Sequence, residues 1–293
     1  MPGIRAGQSG YATTMSRDRS YRPDFPAGLV TGYHDGILGR VRSRSLGVAR
    51  TGVPQLVLVH GMTACDYLLP GLGELSTWTR VHLIDLPGCG GSGEPPHELT
   101  VAEFADAVAD WLGHERLTSV LLVGHSSGSQ VAAETVRRSG DVAGVVLASP
   151  VFDPAYRGLV RVLWRWLIDL NREPASLERV NRPERRRAGL RRLAHVLRIH
   201  LRHSLPEAVD ALRVPVLVIR GRDDALSTRR WAQRLAGRAA DGGYVEVCGP
   251  HTFCWRYPAA WSPPLQAFAG RLAAADRRGG SPSLDEPPGS RPG

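Results

Sequence analysis

Short apolar runs alternate with segments of helical periodicity through most of this chain. Six runs of four to six residues are each closed by Gly or Pro, at 55–59, 81–85, 120–123, 142–147, 214–219 and 244–247. Apolar runs of this length are typical of strands that are covered on both faces. Helical spacing occupies residues 101–112, 129–138, 229–240 and 259–274. Strands that alternate with helices predict an α/β fold, with a mostly parallel sheet flanked by helices.

Two segments depart from this alternation. Residues 28–46 predict two further strands at an antiparallel edge of the sheet, with Asp35 and Gly36 as their turn. Residues 151–205 have no strand pattern and only arginine-rich helical periodicity. Because that segment lies between the end of one predicted strand and the start of the next, we expect it to form an inserted helical lid.

The pattern divides the chain into four parts. Residues 28–150 and 206–275 form the predicted α/β core, and residues 151–205 form the predicted helical lid. Residues 1–27 lack periodicity, and residues 276–293 are dominated by Pro, Gly, Ser and charged residues. Such segments bury too little apolar surface to offset the entropy of ordering, so both ends are predicted to be disordered tails.

Charge and composition narrow the chemistry. The 293 residues include 37 basic and 28 acidic residues, for a net charge of +9, and every basic residue is arginine. Without lysine there is no side-chain amine for a Schiff base and no P-loop lysine. Any general base must therefore be His, Asp, Glu, Tyr or Cys, because arginine stays charged.

The sequence lacks three patterns that would point outside the cytoplasm: a membrane span, a signal peptide and paired cysteines. No apolar run reaches the roughly 18 residues of a membrane span, and the first residues have no apolar stretch typical of a signal peptide. The four cysteines show no CxxC spacing. We therefore expect reduced thiols in a cytoplasmic protein.

The segment Gly124-His-Ser-Ser-Gly128 lies between a predicted strand and a predicted helix. This context is the one that a G-x-S-x-G nucleophile elbow requires, so Ser126 is the candidate nucleophile. His60-Gly61-Met62 follows an earlier strand, and there the backbone amides of Met62 and Ser127 are candidate oxyanion donors. The alternatives are a Gly/Ser turn that only connects two elements and, for His60, a structural hydrogen bond within its loop.

A catalytic serine needs a base, and the base needs an orienting acid. Among ten histidines, His251 directly follows the last predicted strand, where its imidazole can reach the sheet edge. Asp224 and Asp223 both follow the strand before it; we prefer Asp224 and keep Asp223 as the alternative. Either aspartate could instead cap the helix that begins near Ser227.

Taken together, these motifs resemble the α/β-hydrolase superfamily over residues 28–275. The residues that carry the resemblance are His60-Gly61, residues 85–92, the Gly124–Gly128 elbow, residues 221–224 and Pro250-His251. The resemblance implies an eight-stranded sheet, a triad of Ser126, His251 and Asp224, and oxyanion amides at Met62 and Ser127. It also implies that residues 85–92 form a structural loop. Ser127 and the segment after His251 depart from the common family pattern.

These residues predict a serine hydrolase that cleaves a carboxylic ester, or a related acyl bond of a small molecule, through an acyl-enzyme. The alternatives are a C–C bond hydrolase, a lactonase, a thioesterase, a cofactor-free perhydrolase, and a non-catalytic binding protein that retains the pocket. Serine at position 126 disfavours the dehalogenases and epoxide hydrolases, which the resemblance associates with aspartate there. We expect no cofactor, metal, nucleic acid or stable membrane insertion.

Within the predicted lid, residues 157–170 and 185–202 have the spacing of amphipathic helices. The first interpretation is that their apolar faces cover the active site while their arginines are solvated. A second is that Arg187, Arg191 and Arg198 attract an anionic substrate. A third is that the basic helices lie on an acidic membrane surface.

Overall fold

The computed structural model describes residues 26–156 and 158–279. Within them, eight strands form one sheet in the order β1-β2-β4-β3-β5-β6-β7-β8. β2 pairs antiparallel with both β1 and β4, and all other neighbours are parallel. The strands are β1 (Val30–Gly36), β2 (Gly39–Leu46), β3 (Leu56–Val59), β4 (Val81–Asp85), β5 (Val120–His125), β6 (Val142–Ala148), β7 (Val216–Gly221) and β8 (Gly242–Val247). The predicted fold class is confirmed.

The hairpin at the sheet edge differs from the prediction in its turn. Asp35 and Gly36 belong to β1 and pair with Arg40 and Gly39. The turn is formed by residues 37–38 instead. The Asp-Gly pattern therefore marked the end of the strand rather than its reversal.

The described ranges contain nine α-helices, and none is both long and apolar enough to cross a membrane. They are α1 (Leu69–Leu75), α2 (Val101–His114), α3 (Gly128–Val136), α4 (Leu159–Leu170), α5 (Ala175–Arg202), α6 (Leu205–Asp210), α7 (Arg229–Arg238), α8 (Phe253–Arg256) and α9 (Ser262–Gly279). The α1, α6 and α8 helices were not predicted, because one or two turns carry too little periodicity.

The ends of the helices follow local chemistry. Thr100 begins α2 with a capping box, in which its hydroxyl accepts from the Glu103 amide and the Glu103 carboxylate accepts from the Thr100 amide. At the other end of the chain, α9 runs to Gly279, so residues 276–279 are helical and not part of a tail. The remaining tail predictions, for residues 1–25 and 280–293, lie outside the described residues.

The core lies on both faces of the sheet. Along β3, Val57 and Val59 face one apolar cluster, which includes side chains of α2, α3 and α7. Leu56 and Leu58 face a second cluster, which includes side chains of α1 and α9. Because successive side chains of a strand point to opposite faces, an unbroken apolar run is needed to fill both layers.

The segment between β6 and β7 contains α4, α5 and α6. α5 begins ten residues before the predicted helix at 185–202, and Asn181 and Pro183 obscure its first half in the sequence. At Gly189 the backbone turns to a φ of 75°, which breaks α5 into two parts. Its helical content agrees with a lid, whereas the lid boundaries at 151 and 205 remain a prediction.

Candidate active site

Ser126 occupies the turn between β5 and α3 with a φ of 58°, a left-handed backbone that is uncommon outside Gly. A Cβ on Gly124 would lie 2.3 Å from the carbonyl oxygen of Gly128, and a Cβ on Gly128 would lie 2.4 Å from that of Val59. Both contacts are with backbone, so no side-chain movement relieves them. The two glycines are therefore required for the turn that presents Ser126 at the end of β5.

Three predicted residues from distant parts of the chain meet at this turn. The Oγ of Ser126 lies 2.9 Å from Nε2 of His251, within hydrogen-bond reach. The Nδ1 of the same imidazole lies 3.0 Å from Oδ2 of Asp224. Serine, histidine and aspartate thus form one continuous hydrogen-bonded chain, the arrangement needed to activate a hydroxyl as a nucleophile.

Asp224 is held by the backbone of its own loop. Its Oδ1 accepts hydrogen bonds of 2.8 Å from the amides of both Leu226 and Ser227. The neighbouring Asp223 is exposed. Neither aspartate caps the following helix, because the side chain of Thr228 accepts from the Trp231 amide at the start of α7.

In the aspartate–histidine pair, the charge of each partner shifts the pKa of the other against the effect of burial. Burial alone would raise the pKa of Asp224, but the adjacent His251 and the loop amides outweigh it and hold that pKa low. Burial likewise would lower the pKa of His251, and the Asp224 carboxylate outweighs it and raises that pKa above the ordinary imidazole value. The aspartate is therefore ionised, and the imidazole is a stronger base than a free histidine.

The loop after β3 packs directly on the nucleophile. A Cβ on Gly61 would lie 2.6 Å from Cβ of Ser126, so only glycine fits there. The next residue, Met62, has a φ of 50°, and its amide donates a 2.7 Å hydrogen bond to Oγ of Ser127. Ser127 is also the N-cap residue of α3, at the helix end where amides lack intrahelical acceptors. The two predicted oxyanion residues are therefore adjacent in space.

A buried hydrogen-bond chain links the loops on either side of Ser126, and the sequence did not reveal it. The Gly61 amide donates to Oη of Tyr67 at 2.9 Å, and that hydroxyl lies 2.8 Å from Nδ1 of His125. Nε2 of His125 lies 3.0 Å from the carbonyl oxygen of His251, to which it donates. Burial lowers the pKa of His125 to about 3, so its imidazole is neutral and suits this arrangement. The only signal for this role in the sequence was the position of His125 directly before Ser126.

Two further predicted structural features lie beneath the site. His60 is buried, its pKa is lowered by burial to about 4, and its Nε2 accepts a 3.1 Å hydrogen bond from the Leu86 amide. This bond crosses to the loop after β4, and the Nδ1 of His60 lies 3.4 Å from the carbonyl oxygen of Gly61, so the expected structural hydrogen bond within its own loop is also present. At the end of β4, Asp85 binds Arg44 at 2.7 Å and accepts from the Gly91 amide at 2.9 Å, which is a structural arrangement.

Carboxylates of α4, α5 and the loop between them bond to three of the four loops that carry the site, all but the turn that holds Ser126. Asp169 accepts from the amide of Ala225 at 3.3 Å, next to Asp224. Glu173 accepts from the amide of Thr252 at 2.7 Å, next to His251. Glu184 accepts from the amide of Cys65 at 2.7 Å, in the loop that contains Met62. These bonds were not predicted; the available signal was the presence of five acids among the 13 arginines of residues 151–205.

The expected orientation of α4 is wrong for its described apolar residues. Val160, Trp166, Leu167 and Leu170 were expected to cover the site, yet all four are exposed. The periodicity fixed which residues share a face but not which face docks. Further along the same segment, the arginines proposed to steer substrate contact the core surface: Arg191 and Arg198 lie near Glu98, and Arg187 donates to the Gly90 carbonyl.

The remaining titratable groups near the site are thiols. Cys65, Cys89 and Cys254 are buried and Cys248 is exposed, and all four are free. Burial raises the pKa of Cys89 to about 12, which keeps it protonated. Across residues 26–156 and 158–279, no cluster of three or more His, Cys, Asp or Glu side chains is arranged around a possible metal position.

Comparison with known proteins agrees with this geometry. The model of the alpha/beta hydrolase family matches residues 56–262. The 1-acylglycerol-3-phosphate O-acyltransferase of Arabidopsis thaliana is 37% identical over 92 residues, which cover 29% of this chain and 22% of the relative. The pimeloyl-[acyl-carrier protein] methyl ester esterase of Sodalis glossinidius is 38% identical over 109 residues, which cover 35% of this chain and 39% of the relative.

A solved structure extends the likeness to most of the fold. The thermophilic esterase of Thermogutta terrifontis superimposes with a TM-score of 0.65 at 21% identity, over 84% of this chain and 100% of the esterase. In contrast, the matches to the two curated relatives span less than half of their lengths. The likeness to the esterase therefore shows a shared fold.

Proposed function

Because this chain belongs to the alpha/beta hydrolase family, we propose that it is a serine hydrolase that cleaves carboxylic esters of small molecules. The observation that carries the proposal is the continuous contact from Ser126 Oγ through His251 to Asp224, at 2.9 and 3.0 Å. The methyl ester esterase relative from Sodalis glossinidius supports an ester rather than another acyl bond. Ser126, His251 and Asp224 are the proposed catalytic residues.

The proposed mechanism uses only groups of this chain. His251 Nε2 accepts the proton of Ser126 Oγ as that oxygen attacks the ester carbonyl carbon. The resulting oxyanion is held by the amides of Met62 and Ser127, once the Ser127 hydroxyl rotates away from the Met62 amide. The protonated His251 then gives its proton to the departing alkoxide, which leaves as an alcohol.

The second half-reaction regenerates the enzyme. His251, again neutral, accepts a proton from water as the water oxygen attacks the acyl carbon bound to Ser126. Collapse of the second tetrahedral intermediate returns the proton to Ser126 Oγ and releases the carboxylic acid. Asp224 remains ionised throughout, and it stabilises the imidazolium that forms in each half-reaction.

Replacement of the nucleophile tests the proposal. We expect Ser126→Ala to lower kcat/KM for a short p-nitrophenyl ester by about a thousandfold or more, because the variant lacks the hydroxyl that contacts Nε2 of His251. A fluorophosphonate probe should add one adduct to the wild type, at Ser126, and none to the variant. Ser139→Ala, beyond the end of α3, is the matched control and should keep full activity.

Two outcomes would contradict a serine hydrolase. One is ester turnover by Ser126→Ala at the wild-type rate with an unchanged melting temperature. The other is a folded wild type that neither reacts with the probe nor hydrolyses any member of a panel of esters, thioesters and lactones. That result would favour the binding-protein alternative, whereas a preference within the panel identifies the bond type.

A second candidate, transfer of the acyl group to an alcohol, is favoured by the acyltransferase name of the Arabidopsis relative. The acyl-enzyme on Ser126 is the same, and an alcohol replaces water in the second half-reaction. Adding glycerol to the ester assay distinguishes the two. A hydrolase gives free acid as the main product, whereas a transferase gives mainly the acylglycerol.

A further inference from the structure

One face of α4 presents apolar side chains to solvent. Val160, Trp164 and Leu167, spaced at i, i+4 and i+7, form a single row along the helix, here called the α4 stripe. Their exposed fractions are 79%, 65% and 50%. An amphipathic helix of a globular protein ordinarily turns such a row towards the core.

Polar contacts fix this orientation from the opposite side of α4. Asp169 is buried and accepts from the Ala225 amide. Arg165, one turn earlier, donates a 2.8 Å hydrogen bond to the Ala225 carbonyl oxygen. Because one residue of the Asp224 loop is held by two side chains of α4, the helix docks through its polar face and leaves the stripe outside.

Cationic side chains surround the stripe. Arg161 adjoins Val160 and is exposed. A cavity of about 400 Å³ beside Trp164 is also lined by Arg165, Arg172, Arg220 and Arg229. Asp224 lines the same cavity. Arg220 is buried and shares the carboxylate of Glu246 with Arg229. The exposed cations beside the stripe are therefore Arg161, Arg172 and Arg229, which make this surface positive as well as apolar.

The charge of the chain argues against two other occupants of this face. α4 carries two arginines and one acid, and Arg172 and Arg229 lie beside it, so two copies joined through α4 would bring like charges together. Residues 1–25 have a net charge of +2, and residues 280–293 contain a single large apolar residue, Leu284. Neither end offers an acidic, apolar partner for the stripe.

We propose that the α4 stripe is a docking surface for an anionic phospholipid bilayer. Val160, Trp164 and Leu167 would enter the boundary between headgroups and acyl chains, and the surrounding arginines would contact lipid phosphates. Tryptophan suits this depth because its ring combines an apolar body with a polar edge. The protein would lie on the bilayer without crossing it. This inference goes beyond the proposed hydrolysis and does not depend on it.

Vesicle sedimentation with the full chain tests the proposal. We expect the protein to bind vesicles of phosphatidylcholine mixed with phosphatidylglycerol, to bind pure phosphatidylcholine weakly, and to be released by high salt. The double variant Trp164→Ser/Leu167→Ser should bind about tenfold or more weakly, and Arg161→Gln about fivefold more weakly. Ile37→Ser/Val48→Ser, which changes two exposed apolar residues elsewhere, is the matched control and should bind like the wild type.

The outcomes separate lipid binding from other roles of this face. Absent vesicle binding, equal binding to both lipid mixtures, or unchanged binding of the stripe variant would overturn the proposal. So would self-association that the stripe variant abolishes without any vesicle binding, which would identify a second copy as the partner. Ser126→Ala should bind vesicles as the wild type does, so failure of the hydrolase proposal leaves this result intact.

Discussion

At the residue scale, His251 is the group whose protonation decides whether Ser126 has a base. Its pKa is the net result of burial, which disfavours the imidazolium, and of the Asp224 carboxylate, which favours it more strongly. Only the neutral imidazole accepts the serine proton. The rate should therefore rise with pH as His251 loses its proton, and it should do so above the ordinary imidazole pKa of about 6.5.

Replacing Asp224 with asparagine tests this origin of the pKa. We expect the midpoint of the kcat/KM profile to move to lower pH, because burial then acts without the opposing carboxylate. The plateau should fall by about a thousandfold or more, since the imidazole loses its orienting acceptor. Ester hydrolysis measured between about pH 5 and pH 10 gives both quantities. Asp223→Asn is the control, and a midpoint that stays unchanged in Asp224→Asn would refute the assignment.

A second prediction at the residue scale concerns the glycines of the elbow, where an added side chain should destabilise the fold. A Cβ on Gly128 would lie 2.4 Å and 2.5 Å from the carbonyl oxygens of Val59 and His60. Gly128→Ala should lower the free energy of unfolding by about 1–3 kcal/mol and displace the Ser127 amide. Gly237→Ala on the exposed side of α7, where the added Cβ meets nothing within 4 Å, should stabilise the protein by about 0.4–1 kcal/mol. Urea unfolding measures both, and equal effects would contradict the packing argument.

At the scale of elements, the segment between β6 and β7 is fastened to the site by carboxylates rather than by an apolar face. Asp169, Glu173 and Glu184 each accept from a backbone amide in a different site loop. A displacement of α4 or α5 would therefore release loops that carry Asp224, His251 and Met62. The helices therefore act as a brace for the geometry of the proposed site.

Glu184 makes this brace sensitive to pH. Burial, together with the charge of Asp66, raises the pKa of its carboxyl from 4.5 to about 7. Between those pH values the folded chain keeps a proton that the unfolded chain has released. The contribution of Glu184 to the free energy of unfolding therefore falls as pH rises through this window, by about 1.4 kcal/mol for each pKa unit of difference.

The Glu184→Gln variant should lose this part of the pH dependence, because glutamine does not ionise. We expect the drop in urea-unfolding free energy from pH 5 to pH 8 to be smaller in the variant than in the wild type. Glu178→Gln changes an exposed acid of the same helix, paired with Arg185, and should keep the wild-type dependence. An identical pH dependence in all three proteins would show that Glu184 is not the group responsible.

At the scale of the whole molecule, the net charge of +9 is unevenly distributed. Part of the core and the segment between β6 and β7, which contact each other, carry net charges of opposite sign. Residues 51–150 carry a net charge of −7, and residues 151–205 carry +8. The contacts use this difference, with Arg192 paired to Glu94 and Arg191 to Glu98. The arginine excess in the second half of α5 is thus partly neutralised by the core.

Features that depend on a local pattern could be predicted from the sequence, and features that depend on the whole fold could not. The central strand β4 was predicted to the residue, and β3, β5, β6 and β7 to within two residues at each end. A strand covered on both faces leaves an apolar run of about its own length. The elbow was predicted because tight backbone turns demand glycine at fixed spacing, as at Gly124 and Gly128. The Tyr67–His125 bond and the outward face of α4 could not be predicted, because they depend on contacts between segments distant in sequence.

The strand order has a consequence for the newly made protein. Ser126 follows β5, Asp224 follows β7 and His251 follows β8, the strand added last at the sheet edge. During synthesis the nucleophile therefore leaves the ribosome long before its base. Since a serine hydroxyl without a base is a poor nucleophile, the proposed activity would require the final strand of the sheet to be in place. Completion of the sheet and completion of the proposed triad would then coincide.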